Sequence, residues 1–156
     1  MTSKYQKFTQ LEHILKRPDT YIGSLNQDVD KQWILNEDQT HMIRQNVTHV
    51  PGLYKIYDEI LVNAIDQCVV DDTTDQIKID IDKSNECITV MNTGSGVPIE
   101  MHEKHGVYIP EMIFGELLTS SNYDDSQDRI TGGRNGYGAK LTNVFSKKFV
   151  VDIINP

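Results

Sequence analysis

Residues 51–70 read PGLYKIYDEILVNAIDQCVV, and this stretch predicts the clearest helix of the chain. Pro51 suits the first turn of a helix, where the N–H group that proline lacks would have no intrahelical partner. Apolar side chains recur at helical spacing, at Leu53, Ile56, Tyr57, Ile60, Leu61, Ala64 and Cys68. Because these positions fall on one stripe, we expect an amphipathic helix that packs along that stripe.

The face largely opposite this stripe is polar. Glu59, Asn63 and Asp66 stand at positions i, i+4 and i+7, which places them within an arc of about 60° of the helix surface. A carboxylate can polarise an attacking water, and an amide oxygen is a suitable ligand for Mg²⁺. A solvated surface without a chemical role has the same spacing, so the row by itself leaves both interpretations open.

The segment NTGSGVP, residues 92–98, directly follows a predicted strand. Gly94 and Gly96 allow the backbone to turn sharply and to approach a ligand closely. Asn92 could accept a hydrogen bond from an exocyclic amine and donate one to a ring nitrogen. An ordinary turn is the alternative, because short glycine patterns are common.

A glycine-rich stretch, TGGRNGYGAKL at residues 131–141, precedes another predicted helix. Such a loop can direct N–H groups toward phosphate oxygens, and the helix N-terminus and Lys140 would add favourable charge. Neither the Walker A pattern nor the dinucleotide-binding glycine pattern fits well, so the stretch predicts phosphate binding by a different fold. A surface loop without a ligand is the alternative.

Weaker patterns predict the remaining elements. We expect a short helix at 10–17 that ends before Pro18, a hairpin or loop within 32–50, paired strands at 76–82 and 86–92 with a turn at Ser84-Asn85, helices at 109–118 and 138–147, and a strand at 149–154. The first paired strand is expected to be half-buried, because apolar and charged residues alternate along it. Strands and helices mix without regular βαβ alternation, which favours an α+β sandwich.

The composition of the 156-residue chain excludes some kinds of binding partner and site. With 15 basic and 23 acidic residues and a formal net charge of -8, it is a poor DNA binder, because phosphate binding uses clustered lysine and arginine. No apolar run approaches the roughly 18 residues of a membrane span. Cys68 and Cys87 are too few for a disulfide framework and are expected to be buried thiols. His102 and His105 lack a further cysteine or histidine nearby in sequence, which argues against a metal site there.

The order of the three clusters resembles the GHKL ATPase superfamily, which includes gyrase B, Hsp90, MutL and histidine kinases. Longer strings at residues 9–23 (TQLEHILKRPDTYIG), 118–124 (LTSSNYD) and 131–141 look like signatures of eukaryotic and viral type IIA DNA topoisomerases. The resemblance implies an α+β GHKL (Bergerat) sandwich, with a mixed, mostly antiparallel sheet and helices on one face. It also implies a partial ATPase domain, with an N-terminal strap and first helix at 1–24 and a nucleotide-binding core at 25–156.

The resemblance assigns roles to matching residues. Glu59 would activate the water that attacks the γ-phosphate, Asn63 would hold Mg²⁺, and Asp66 would support the water and the metal. The nucleotide contacts would be Asn92, Gly94 and Gly96 near the adenine, Ser120, Ser121 and Asn122 at the ribose and phosphates, and Gly133, Arg134, Asn135, Gly136, Tyr137, Gly138, Ala139 and Lys140 in a lid. Tyr5 would reach the nucleotide of the partner subunit in a dimer.

The same resemblance implies a function. The chain would bind and hydrolyse ATP with Mg²⁺ in an enzyme that closes as a homodimer and passes one DNA duplex through a break in another. DNA contacts, a lysine from a transducer domain and the DNA-cleaving tyrosine would lie outside this segment, so the segment alone would turn over little ATP. A nuclear or viral enzyme without a membrane partner is implied. The alternatives are another GHKL ATPase, of chaperone or mismatch-repair type, and a nucleotide-binding fragment without turnover.

Overall fold

The computed structural model describes residues 5–119 and 136–154. The helices and strands are α1 (Gln10–Lys16), α2 (Pro18–Tyr21), β1 (Asp28–Leu35), β2 (Met42–His49), α3 (Pro51–Val70), β3 (Ile77–Asp82), β4 (Cys87–Asn92), α4 (Ile109–Gly115) and α5 (Gly138–Phe145). Helices therefore accompany two small antiparallel sheets, β1–β2 and β3–β4, as the α+β prediction requires. Contacts divide the chain into two compact units after Lys55, and the predicted domain division at residue 25 stays a prediction.

A capping box begins α1 in the first unit. The Glu12 N–H donates to Thr9 Oγ1 at 3.3 Å, and the Thr9 N–H donates to Glu12 Oε2 at 2.7 Å. These bonds satisfy backbone donors that an uncapped helix would leave unpaired. The helix ends at Lys16, before Pro18, as its sequence predicted, and Pro18 itself begins the single turn of α2.

The stretch predicted as a hairpin or loop is a hairpin. β1 pairs antiparallel with β2, from Asp28 opposite His49 to Leu35 opposite Met42. Asn36 stabilises the connecting turn, since its Oδ1 accepts from the Thr40 N–H at 2.8 Å. Large apolar side chains of the hairpin remain exposed, among them Trp33 at 64%.

In the second unit, β3 and β4 confirm the predicted strand pair. Asp82 stabilises their turn: its Oδ1 accepts from the Ser84 N–H at 2.9 Å, and its Oδ2 accepts from Asn85 Nδ2 at 2.6 Å. Hydrogen bonds from the side chains of Ser84 and Asn85 lower the pKa of Asp82 to about 2. The prediction of a half-buried strand is wrong, because Ile79 and Ile81 are both exposed. Alternating apolar and charged residues give a strand one apolar face, but that face is buried only if another part of the protein covers it.

Four further expectations need correction. α4 ends at Gly115 instead of residue 118, since Glu116 is already extended, and α5 ends at Phe145 instead of residue 147, since Ser146 is extended. Residues 149–154 form no strand, because none of the strands in the described ranges pairs with them. Cys87 is exposed, contrary to expectation, whereas Cys68 is partly buried.

No helix within the described part of the chain could span a membrane.

Candidate functional site

The carboxylate of Glu59 lies against the first residue of α5. A Cβ atom added to Gly138 would overlap Glu59 Oε2 and would stand 3.2 Å from Glu59 Cδ. Only glycine leaves this space open. The predicted acid of α3 and the glycine end of the predicted lid therefore meet, at the N-terminus of a helix whose N–H groups favour negative charge.

A side-chain hydrogen bond holds α5 on α3. Thr142 Oγ1, one turn after Gly138, donates to the carbonyl of Ile56 at 2.7 Å. Ala139 and Leu141 are buried beside it, which makes this junction part of the core of the second unit. The contact between Glu59 and Gly138 thus lies beside a hydrogen bond that joins the same two helices.

Lys140 has a different environment from the one that its position in a phosphate-binding lid suggested. It is buried, and its Nζ donates to the carbonyl of Thr119. Burial lowers the pKa of the Lys140 ammonium, because an apolar surrounding penalises the charged form. The Thr119 hydroxyl in turn donates to the carbonyl of Met112 at 2.8 Å, so Lys140 connects α5 to the segment that follows α4.

The NTGSG segment forms the sharp turn that its glycines predicted. Asn92 ends β4, and Gly94 has a φ of 119° while Gly96 has a φ of 71°. A Cβ atom at Gly94 would overlap Thr74 Oγ1 and would stand 2.8 Å from Asp71 Oδ2. Gly94 is therefore required twice, by its backbone conformation and by its close approach to the loop after α3.

Thr93, which the sequence analysis gave no role, fastens this turn to the start of β3. Its Oγ1 accepts from the N–H groups of Asp75 and Gln76, both at 3.0 Å, and donates to Asp75 Oδ1 at 2.8 Å. Asn92 itself is exposed, and its Nδ2 donates to the carbonyl of Thr93 at 2.9 Å. The neighbouring backbone is thus held in place while the Asn92 side chain stays accessible.

Asp71, the first residue after α3, is a second fastening point that the sequence analysis missed. Its Oδ2 accepts from Ser95 N–H and Ser95 Oγ, each at 2.7 Å, and from Gln67 Nε2 at 3.2 Å. Its Oδ1 accepts from Thr73 N–H at 2.9 Å and from Thr73 Oγ1 at 2.6 Å. These bonds, from Thr73 and then from Ser95, hold the pKa of Asp71 far below its usual value. An Asp-x-Thr sequence directly after a helix was the available signal.

The structure brings some predicted site residues together, whereas others lie outside the described ranges. Glu59, Asn63 and Asp66 share the polar face of α3, with Asn63 exposed and the two acids partly buried. Tyr5 is 87% exposed in the first unit. The predicted residues outside the described ranges are Ser120, Ser121, Asn122, Gly133, Arg134 and Asn135.

A separate recess of about 310 Å³ lies in the second unit. Its lining residues are Pro110, Glu111, Phe114, Gly115, Asn143, Phe149 and Val151. None of the predicted site residues is among them. The candidate site is therefore the junction of α3 and α5 together with the glycine turn, where the side chains predicted to carry this chemistry lie.

Comparisons with known proteins show which family the chain resembles. The family of "Histidine kinase-, DNA gyrase B-, and HSP90-like ATPase" matches residues 48–153. DNA topoisomerase 2 of Saccharomyces cerevisiae is 58% identical over 151 residues, which cover 97% of this chain and 11% of that protein. DNA topoisomerase 2 of Arabidopsis thaliana is 56% identical over 148 residues, or 95% of this chain and 10% of that protein.

Solved structures show the same similarity. The ATPase region of Saccharomyces cerevisiae topoisomerase II matches with a TM-score of 0.88 and 60% identity, over 93% of this chain and 38% of that chain. The ATPase and transducer domains of DNA topoisomerase II from Balamuthia mandrillaris match with a TM-score of 0.89 and 51% identity, over 94% of this chain and 38% of that chain. The chain thus spans about a tenth of the length of the curated relatives that it matches.

Proposed function

The chain belongs to the family of histidine kinase-, DNA gyrase B- and HSP90-like ATPases, and we propose that it is the ATP-binding and ATP-hydrolysing segment of a type II DNA topoisomerase. The observation that carries the proposal is the contact between the Glu59 carboxylate and Gly138 at the start of α5. This contact joins a candidate general base to a helix N-terminus, which favours bound phosphate.

In this proposal, the γ-phosphate of ATP lies near the N-terminus of α5, and Glu59 accepts a proton from the attacking water. A general base must lie within hydrogen-bond reach of the proton that it removes, and it contributes about 10²–10⁴-fold to the rate. Gly138 supports the assignment, because any larger residue would displace the carboxylate from this place. Gly136, Tyr137 and Ala139 would surround the phosphates from the same segment.

Mg²⁺ is the proposed metal, and the residues present fit it. Asn63 lies one turn after Glu59 on the same face of α3 and offers an exposed amide oxygen. Mg²⁺ usually takes only one or two protein ligands and keeps phosphate oxygens and waters as the others, so a single amide suffices. When bound, the ion would neutralise charge on the phosphates. Asp66, a further turn along, would accept hydrogen bonds from its waters.

The glycine turn is the proposed adenine side of the site. Asn92 presents an exposed amide at the end of β4, and the positive φ angles of Gly94 and Gly96 turn the backbone sharply next to it. Contacts to the ribose and phosphates from Ser120, Ser121 and Asn122, and lid contacts from Gly133, Arg134 and Asn135, stay predictions. So does a phosphate contact from Lys140, which would have to leave its bond to Thr119.

The whole protein, in this proposal, closes as a homodimer when ATP binds and passes one DNA duplex through another. Tyr5, exposed in the first unit, would reach the partner subunit's nucleotide. Because this segment has a formal net charge of -8, the DNA contacts would lie in other domains of the whole protein. A nuclear enzyme, or a viral enzyme that acts in its host cell, would meet such a substrate.

The decisive experiment compares Glu59→Gln with a control, Glu103→Gln, which makes the same change on an exposed loop. In the full-length protein, Glu59→Gln should bind a non-hydrolysable ATP analogue within about threefold of the parent by calorimetry, since the amide is isosteric. Its ATP turnover should fall by about 100-fold or more. Parental turnover in Glu59→Gln would remove Glu59 as the base, and no analogue binding by the parent protein would refute the proposed function itself.

A further inference from the structure

The loop after α3 and the glycine turn form one hydrogen-bonded assembly. Asp71 binds the Ser95 N–H and hydroxyl with one carboxylate oxygen and Thr73 with the other. Thr93 Oγ1 accepts from the N–H groups of Asp75 and Gln76, which directly precede β3. Gly94 lies between these two attachments, in contact with both Asp71 and Thr74.

The assembly links the two halves of the proposed site. α3 carries Glu59 and Asn63 on its polar face and ends immediately before Asp71. β4 ends in Asn92, three residues before Ser95. Because a 20-residue helix is stiff over this distance, the bonds of Asp71 set where the turn stands relative to the helical acid and amide.

We propose that Asp71 is a positioning residue that holds the Asn92 turn in register with α3 and thereby sets nucleotide affinity and base discrimination. The proposal rests on the proposed function, since it assumes that Asn92 meets the adenine. Asp71 touches no reacting atom in this scheme, and it acts only through Ser95 and the backbone that leads to Asn92.

Both carboxylate oxygens of Asp71 accept hydrogen bonds, which makes Asp71→Asn a sharp test. An asparagine has one acceptor oxygen, so its NH₂ group must face donors either at Ser95 or at Thr73. Turning the NH₂ group toward Ser95 releases the turn, and turning it toward Thr73 disrupts the loop. Asp72→Asn is the matched control, because it removes the same charge from the neighbouring exposed residue.

The experiment measures ATP turnover and the ratio of ATP to GTP use in the full-length protein. Asp71→Asn should raise KM for ATP about tenfold, since bonds to a charged acceptor are lost, and should leave kcat within about twofold. The preference for ATP over GTP should fall as well, because Asn92 is no longer held in place. Asp72→Asn should match the parent in all three quantities.

Several outcomes would overturn the positioning role. An unchanged KM and base preference in Asp71→Asn would do so, and so would a loss confined to kcat. If Asp71→Asn does not fold, judged by its thermal transition, Ser95→Ala decides, because it removes only the hydroxyl bond at 2.7 Å and keeps the N–H bond. Ser95→Ala should raise KM about threefold, and a parental KM would refute the role. A parent protein that fails to bind ATP would instead refute the proposed function.

Discussion

Gly138→Ala tests how much of the proposed chemistry depends on the place of the Glu59 carboxylate. The added methyl group would overlap Glu59 Oε2 and stand 3.2 Å from its Cδ and 3.5 Å from its Cβ. The Glu59 side chain must therefore rotate, whereas the Gly138 backbone needs no change, because its φ is not in the left-handed region. The perturbation acts on one carboxylate.

Opposing terms leave the stability of this variant nearly unchanged. Alanine in place of glycine favours a helix by up to about 1 kcal/mol. Moving the Glu59 side chain off its preferred rotamer costs about 0.5–1.5 kcal/mol. The free energy of unfolding should therefore change by less than about 1 kcal/mol. A catalytic group displaced by about 1 Å, however, can lower a rate about 100-fold.

Turnover of ATP by the full-length protein and denaturant unfolding would be measured together. We expect kcat for Gly138→Ala to fall at least about tenfold, with unfolding close to that of the parent. Gly115→Ala is the control, because a Cβ there would meet nothing within 4 Å. Parental kcat in Gly138→Ala would refute the reasoning, since the carboxylate would then act from a displaced position equally well.

Two further predictions concern stability. Gly94→Ala should lower the free energy of unfolding by about 2–4 kcal/mol, measured by denaturant titration. The reason is that the alanine would have to adopt a φ of 119° and its Cβ would overlap Thr74 Oγ1. A change below about 1 kcal/mol would contradict this account of the turn. The folded-state pKa of Asp82 is lowered from 3.8 to about 2, so its contribution to stability is present above pH 3.8 and is lost as the pH falls toward 2. In Asp82→Asn, the thermal transition temperature should therefore depend less on pH in that window. An unchanged pH dependence there would show that Asp82 does not contribute to the loss of stability in acid.

Local patterns were enough to predict α3 and its polar row. Its bounds match the expected Pro51–Val70, because twenty residues of apolar periodicity and a proline at the first turn act within one helix. Glu59, Asn63 and Asp66 share a face for the same reason. The β3–β4 hairpin and the turn at Gly94 were also predictable, since turn residues and alternation are properties of neighbouring residues.

Predictions failed where the outcome depends on distant parts of the chain. Residues 149–154 are rich in β-branched residues, which suits a strand, but a strand also requires hydrogen-bonding partners on another segment. The burial expected for Ile79 and Ile81 likewise depends on a covering surface. In both cases the local pattern indicates that a segment is suited to strand pairing or to burial, and long-range contacts determine whether it pairs or is buried.

The amino-acid sequence by itself determined the helix that carries the candidate acid and amide, the glycine turn after β4 and the family to which the chain belongs. Only the tertiary structure decided that Glu59 lies against Gly138, that Lys140 is buried beside Thr119, and that Asp71 fastens the turn at Ser95. The physical reason is that helix and turn preferences act between near neighbours, whereas these contacts join residues that are far apart along the chain and come together only in the folded structure.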